Sequence, residues 1–283
     1  MQSPPVCYRH PDRETYVRCN RCERPICPDC MRAASVGFQC PECVAAGAKT
    51  VRPGRTVFGG RVSGDTSRIS ITIIGLCVAV FLAGLLLGER DLQERFGNVT
   101  GPVLFADGGV GGVADGQYYR LFTAAFLHAG VLHLALNMFA LAQLGPALES
   151  ALGRVRFLVL YLLSALGGST LSFLVSDRNT LGVGASGAIF GLFGAYYIVV
   201  RHLGGETRSI LVLLAVNLVI TFTIPIIDWR AHLGGLVTGV LVAAAFAYAP
   251  KGARRGQLQA AACSAIAVLL VVLVTLRTAA LGG

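Results

Sequence analysis

Seven apolar stretches constrain this chain more than anything else in it. They lie near residues 69–88, 131–148, 155–175, 184–202, 208–225, 231–249 and 258–279. Each is roughly 17–22 residues long, about what an α-helix needs to cross the hydrocarbon core of a bilayer. In lipid every backbone N–H and C=O must find a partner within its own segment, so such stretches fold as helices. The expectation is an all-α polytopic membrane protein. Only 14% of the residues are charged, against about 25% in a typical soluble domain. The net charge of +9 does not point to nucleic acid, because the basic residues gather between the apolar stretches, where topology accounts for them.

The remaining sequence divides readily. Residues 1–48 form a small Cys-rich unit, and 49–68 (with Lys49, Arg52, Pro53, Arg55, Arg61 and Arg68) a basic, flexible linker. Polar, Cys-rich sequence precedes the first span, so no secretory signal is expected. Segment 89–130 is too polar to span, yet holds Val103-Leu104-Phe105 and Leu121-Phe122-Thr123-Ala124-Ala125-Phe126. It reads as a long loop partly embedded in the membrane interface. With a cytosolic N-terminus, the inner side carries Arg52, Arg55, Arg61, Arg68, Arg154, Arg156, Arg201, Arg208, Lys251, Arg254 and Arg255. The outer side holds only Arg90, Arg95, Arg120, Arg178, Arg230 and Arg277. That bias places the protein in the cell (plasma) membrane with the N-terminus cytosolic and the C-terminus outside. Trp229 then falls at the outer interface.

Under this topology the second, fourth and sixth spans all enter from the outer face. Ser186 stands near the start of the fourth, in Gly184-Ala185-Ser186-Gly187, and His232 near the start of the sixth, in Ala231-His232-Leu233-Gly234-Gly235. The second span adds His133 and Asn137, four apart and therefore on one helical face, with His128 just before it. Polar side chains at membrane depth are costly and mark functional sites. Acyl transfer would use this set in a definite way. His232 is the base that a serine hydroxyl needs to become a nucleophile. The Asn137 amide, an N–H of His133 or His128, and the Ser186 backbone N–H are candidate donors to the oxyanion. Gly235 and Gly239, four apart, permit close helix approach. Asp228, four residues before His232, reads as an interface anion in preference to a third triad member.

Residues 69–250 resemble the rhomboid family of intramembrane serine proteases. The resemblance rests on His128-x4-His133-x3-Asn137, Gly184-x-Ser186-Gly187 and Ala231-His232-x2-Gly235-x3-Gly239, with Gly145-x3-Glu149 followed by Gly153, Arg156 and Phe157. It implies a six-helix core plus one C-terminal transmembrane helix in 251–283, a Ser186–His232 dyad without an acidic third member, and an oxyanion site from His133, Asn137 and the Ser186 N–H, with His128 nearby. It also implies single-span transmembrane proteins as substrates, cut near the outer face. Two positions depart from the family pattern. Its usual Glu-x-Trp-Arg stands here as Gln117-Tyr118-Tyr119-Arg120, and a tyrosine often found after the serine is Phe190.

Seven of the nine cysteines lie between Cys7 and Cys43; Cys77 and Cys263, alone in apolar spans, read as packing residues. The order Cys7-x2-His10-x8-Cys19-x2-Cys22-x4-Cys27-x2-Cys30-x9-Cys40-x2-Cys43 offers eight N/S ligands, enough for two tetrahedral zinc ions. A histidine in register and a cytosolic address favour zinc over disulfides. The spacing resembles B-box-type zinc fingers. That resemblance implies that Cys7, His10, Cys27 and Cys30 hold one ion, and Cys19, Cys22, Cys40 and Cys43 the other. Every position is then filled, so the two Zn2+ are structural and catalysis uses no cofactor. The unit's cytosolic partner is not readable from the sequence.

Two other functions compete with proteolysis. A rhomboid-like pseudoprotease would bind membrane clients without cutting them, though such relatives usually lack the serine or the histidine, and both are present. A transporter would need a charged or water-lined path, and the polar groups sit near one face only.

Overall fold

The computed structural model describes residues 3–50, 54–101, 103–104, 108–177 and 179–282. Arg52, Pro53, Phe105 and Arg178, used in the readings above, lie outside these. The chain divides into two compact units, Met1–Gly54 and Arg55–Gly283.

The first unit pairs two short antiparallel strands, Arg32–Ala33 and Phe38–Gln39, and ends in helix α1 (Pro41–Thr50). Its buried cluster consists of Cys7, Cys19, Ile26, Cys27, Cys30 and Cys40. One isoleucine is far too little apolar material to stabilise about 50 residues. The thiols themselves occupy the place of a core.

The second unit is a helical bundle. Its helices are α2 (Arg68–Leu87), α3 (Glu89–Phe96), α4 (Arg120–Thr123), α5 (Val131–Leu152), α6 (Arg154–Val175), α7 (Ser186–His202), α8 (Arg208–Thr223), α9 (Trp229–Tyr248) and α10 (Arg255–Gly282). Apart from the short α3 and α4, they occupy the seven apolar stretches. Five of them (α2, α5, α6, α9 and α10) are long and apolar enough to cross a membrane. At 17 and 16 residues, α7 and α8 are shorter. The start of α7 moves from 184 to Ser186 because Gly184 has φ +131°, a conformation no helix continues. α8 stops at Thr223 because Ile224 precedes Pro225 and is driven to an extended backbone (φ −101°, ψ 108°).

Bare backbone holds the centre together. A Cβ on Gly235 would collide with the Gly187 carbonyl, and one on Gly239 with the Gly191 carbonyl, so α7 and α9 touch main chain to main chain. On the adjoining face of α9, Gly234 meets the Gly167 carbonyl of α6. Small residues permit this approach where lipid supplies no hydrophobic drive between helices. Ser70 of α2 seats against Gly145 of α5. The Glu149 carboxylate, on a residue only 2% exposed, accepts from the N–H groups of Ile69 and Ser70 (3.1 and 3.2 Å) and from Ser70 Oγ (3.1 Å). Helix N-termini leave such donors without intrahelical partners, and here a buried anion on another helix receives them.

Residues 55–61, within the basic segment read as a linker, form a tight turn. Thr56 N–H donates to Gly60 O and Gly59 N–H to Thr56 O, both at 2.8 Å. Phe58, 1% exposed, packs into the bundle core. The 89–130 segment is likewise structured. Two-residue strands pair Asn98–Val99 with Leu181–Gly182 and Val103–Leu104 with Val110–Gly111. Arg120 is buried at its centre, donating to Gln117 Oε1 (2.6 Å), Glu94 O (2.6 Å) and Gly97 O (3.0 Å). Val113 and Leu121 then pack with Leu166, Phe173, Leu270 and Val274 of α6 and α10.

Candidate active site and metal centres

Ser186 is the first residue of α7. Its backbone N–H therefore has no intrahelical acceptor and stays available. The turn before it is held by Gly184 N–H, which donates to Ala124 O at 2.9 Å. Glycine is required there twice over: φ is +131°, and a Cβ would lie 2.7 Å from His133 Cε1 and 2.8 Å from its Nε2. The same point is 3.7 Å from Ser186 Oγ. The His133 ring edge and the serine hydroxyl thus flank one glycine.

His133 Nδ1 accepts the Ala129 N–H at 3.3 Å. A neutral ring that accepts at Nδ1 carries its hydrogen on Nε2, so His133 presents a donor beside Ser186. One N–H of the Asn137 amide donates to His133 O (2.8 Å), leaving the second N–H for another acceptor. His128 is buried against His133, with 5.2 Å between ring centroids. Its carbonyl accepts from Gln93 Nε2 at 3.3 Å.

His232 enters from α9 and is buried. Its ring stacks on Phe190 with centroids 4.1 Å apart and planes 17° apart. Phe190 stands four residues after Ser186, on the same face of α7, so the imidazole lies along the face that carries the hydroxyl. The backbones agree: a Cβ on Gly187 would lie 3.1 Å from Ala231 O. The neighbours of Ser186 and His232 are in contact.

The structure adds a residue that sequence reading missed. Thr221 Oγ1 lies 2.7 Å from His232 Nδ1, and among the residues of α8 Thr221 alone is buried. Among the described residues Nε2 is left as the free ring nitrogen. Asp228, read as an interface anion, is the N-cap of α9. It accepts the Arg230 N–H (3.1 Å) and the Ser172 hydroxyl (2.5 Å). Its carboxylate is spent on those contacts, and the place beside Nδ1 belongs to a hydroxyl.

In the Cys-rich unit two quartets each bring their ligand atoms within 4.8 Å of one another: Cys7, His10, Cys27 and Cys30, and Cys19, Cys22, Cys40 and Cys43. Cys22 and Cys40 Sγ are 3.7 Å apart, far beyond a disulfide bond of about 2.05 Å. That separation matches the roughly 3.8 Å edge of a tetrahedron with metal–sulfur bonds of about 2.3 Å. His10 points Nδ1 at its three thiols, at 3.8 Å (Cys7), 3.3 Å (Cys27) and 3.5 Å (Cys30). Burial pushes the Cys7 thiol up, but backbone N–H donors from Arg9 and Cys27 outweigh it and hold the group down at about 6. Cys19 is likewise held at about 6, backbone N–H donors again outweighing burial. Within the same quartets burial, aided by the neighbouring thiols, pushes Cys30 up to about 11. Cys43, hydrogen-bonded to Cys40, rises to about 12. Neighbouring thiolates repel unless a cation sits among them, and either quartet can hold a metal ion.

Similarity to known proteins covers part of the bundle. Residues 115–249 match the rhomboid domain. Over 136 residues the chain is 41% identical to "Putative rhomboid protease YdcA" of Bacillus subtilis strain 168, a stretch that covers 46% of this chain and 68% of that protein. It is 39% identical over 149 residues to "Rhomboid protease GluP" of the same organism (50% of this chain, 28% of that protein). With "RHOMBOID-like protein 1" of Arabidopsis thaliana it shares 38% over 142 residues (48% and 36%). The chain thus spans about two thirds of the first relative and about a third of the other two.

Proposed function

The chain belongs to the rhomboid family of intramembrane serine proteases, and from that premise we propose that it cuts single-span transmembrane proteins near the outer membrane face with a Ser186–His232 dyad. The observation that carries this reading is the His232 ring, stacked on Phe190 one helical turn from Ser186 with Nδ1 engaged by Thr221. Ser186 Oγ attacks the substrate carbonyl carbon while its proton passes to His232 Nε2. His232 Nδ1–H donates to Thr221 Oγ1 and so keeps the ring in the tautomer that can accept. The oxyanion takes hydrogen bonds from His133 Nε2–H, the free N–H of Asn137 and the Ser186 N–H, with His128 packing His133 into place. The imidazolium then returns its proton to the leaving amine, and a water, deprotonated by the same base, releases the acyl group.

The Cys-rich unit takes two structural Zn2+ in a B-box-like arrangement. Thiolate and imidazole donors at tetrahedral spacing suit zinc. With four protein ligands to each ion, no position is open for catalysis. The basic residues between spans favour a cytosolic N-terminus and an external C-terminus in the plasma membrane, with the zinc unit meeting its partner in the cytosol.

Fluorophosphonate labelling and cleavage of a model transmembrane substrate test the dyad. Both activities are expected in the full-length protein and are expected to vanish in folded Ser186→Ala and His232→Ala. Undiminished cleavage by Ser186→Ala would refute the proposal. Substrate capture without labelling or cleavage by the natural sequence would instead favour a client-binding pseudoprotease.

A further inference from the structure

At the end of the bundle where α5 passes to α6 and α9 to α10, a pocket of about 630 Å³ is lined by Arg55, Arg156, Lys251 and Arg255. Ser186 and His232 stand at the starts of α7 and α9, so this pocket lies at the opposite end of α9 from them. Its four cations come from three separate places in the chain: the Phe58 turn, the start of α6, and the α9–α10 junction. Among the described residues, none of the four has a carboxylate oxygen within 4.0 Å. Neutral acceptors hold the guanidinium groups instead. Gln259 Oε1, on a residue 2% exposed, accepts from Arg156 Nε (2.9 Å) and Nη2 (2.7 Å). Carbonyls of Val57 (2.8 Å) and Phe246 (3.3 Å) accept from Arg255.

Both guanidinium groups converge over Gly59, where the turn presents bare backbone. A Cβ on Gly59 would lie 3.5 Å from Arg156 Nη2 and 3.8 Å from Arg255 Nε. That Nε is buried and has no hydrogen-bond partner among the described residues. Like charges placed together without a counter-anion repel, and fixing them with neutral groups leaves the excess positive charge in place. We propose that this pocket binds a phosphate-bearing anion. The planar, multi-donor guanidinium suits phosphate oxygens, and Lys251 adds a mobile point charge at the rim. Basic pockets between helices on the cytoplasmic side are the setting in which anionic headgroups bind. Two sources share this chemistry, an acidic phospholipid headgroup and a soluble phosphate.

The test uses the full-length protein, stripped of lipid in detergent and followed by native mass spectrometry. It is titrated with dihexanoyl phosphatidylglycerol, dihexanoyl phosphatidylcholine and sodium pyrophosphate. One saturable equivalent of phosphatidylglycerol or pyrophosphate is expected, and none of phosphatidylcholine. Displacement of phosphatidylglycerol by pyrophosphate assigns the site to soluble phosphates. Retention of the lipid against pyrophosphate assigns it to a headgroup. Arg255→Gln and Lys251→Gln should each bind roughly five- to tenfold more weakly, as loss of one nearby cation implies. Arg255→Lys, which keeps the charge but loses the guanidinium fork, should recover only part of the affinity lost in Arg255→Gln. Lys251 has no hydrogen bond among the described residues, so its substitution leaves the fold intact. Arg254→Gln removes an exposed charge at the same end but outside the lining and should change nothing. Equal binding of both lipids without pyrophosphate binding would overturn the proposal. So would an effect of Arg254→Gln as large as that of Arg255→Gln.

Discussion

With Thr221 Oγ1 2.7 Å from Nδ1, the imidazole of His232 has one spare nitrogen, and its usefulness depends on where the ring hydrogen sits. If Nδ1 donates to the threonine oxygen, Nε2 carries a lone pair and accepts a proton. If the hydroxyl donates instead, Nε2 is already protonated and is no base. Thr221→Val removes the acceptor with little change of volume. It should lower kcat for a transmembrane substrate by about ten- to hundredfold, the scale seen when the partner that orients a metal-bound histidine is removed, with KM little altered. Thr221→Ser should recover most of the loss in the same proteoliposome assay. An unchanged kcat in Thr221→Val would remove the orienting role. Nothing in the sequence distinguishes this threonine from Thr223, two residues on. In an apolar helix either is expected to bond back to its own backbone. Thr223 does so, to Val219 O at 2.8 Å, while Thr221 turns to the histidine. Ser186, His232, His133 and Asn137 were conspicuous as candidates because polar groups in greasy helices are costly. Thr221 was not, because a hydroxyl can hide its cost locally.

The helices themselves were legible from hydropathy, since a long apolar run in lipid has one way to satisfy its backbone. Their ends were less so. They depend on single residues, Gly184 and Pro225, whose effects are local and sharp. The turn over 55–61 was hidden for the opposite reason. One apolar residue, Phe58, orders a basic, glycine-containing stretch, and average composition is blind to one side chain. The seating of α2 on α5 rests on Glu149 in the same way. Glu149→Ala would strand the donors of Ile69 and Ser70 and should cost about 1–3 kcal/mol of stability. Glu149→Gln keeps an acceptor, loses the charge that a helix N-terminus favours, and should cost about 0.3–1 kcal/mol. Unfolding in mixed detergent would measure both, and equal losses would show that the charge, not the acceptor, holds α2.

Across the whole molecule the two units differ in what can stabilise them: side-chain and backbone packing in the bundle, and, on the proposed reading, metal ligation in the Cys-rich unit. Each metal quartet takes ligands from both sides of its neighbour's in the sequence, so neither loop closes without the other. The purified protein should hold two zinc ions and give them up together to a chelator, with unfolding of residues 3–50. Metal entry must displace protons from the raised thiols of Cys30 and Cys43, so affinity falls as pH falls. Cys7 and Cys19, held down at about 6, keep their charge, and the stability it lends, at neutral pH. That contribution drains away as pH drops from the ordinary thiol range through about 6. A metallochromic dye should therefore report zinc release that steepens below about pH 6. Full occupancy at pH 4 would contradict the ligand set.

Ser186 and His232 stand on helices that meet glycine to carbonyl, with no side chain between them at Gly187–Gly235 or Gly191–Gly239. Side chains can swap rotamers as temperature or lipid changes, whereas a peptide group in van der Waals contact has no second arrangement. The gap between the two residues is set by a gauge with almost no compliance. A thicker or more fluid membrane can change how a substrate arrives, while the interval it meets on arrival stays the same.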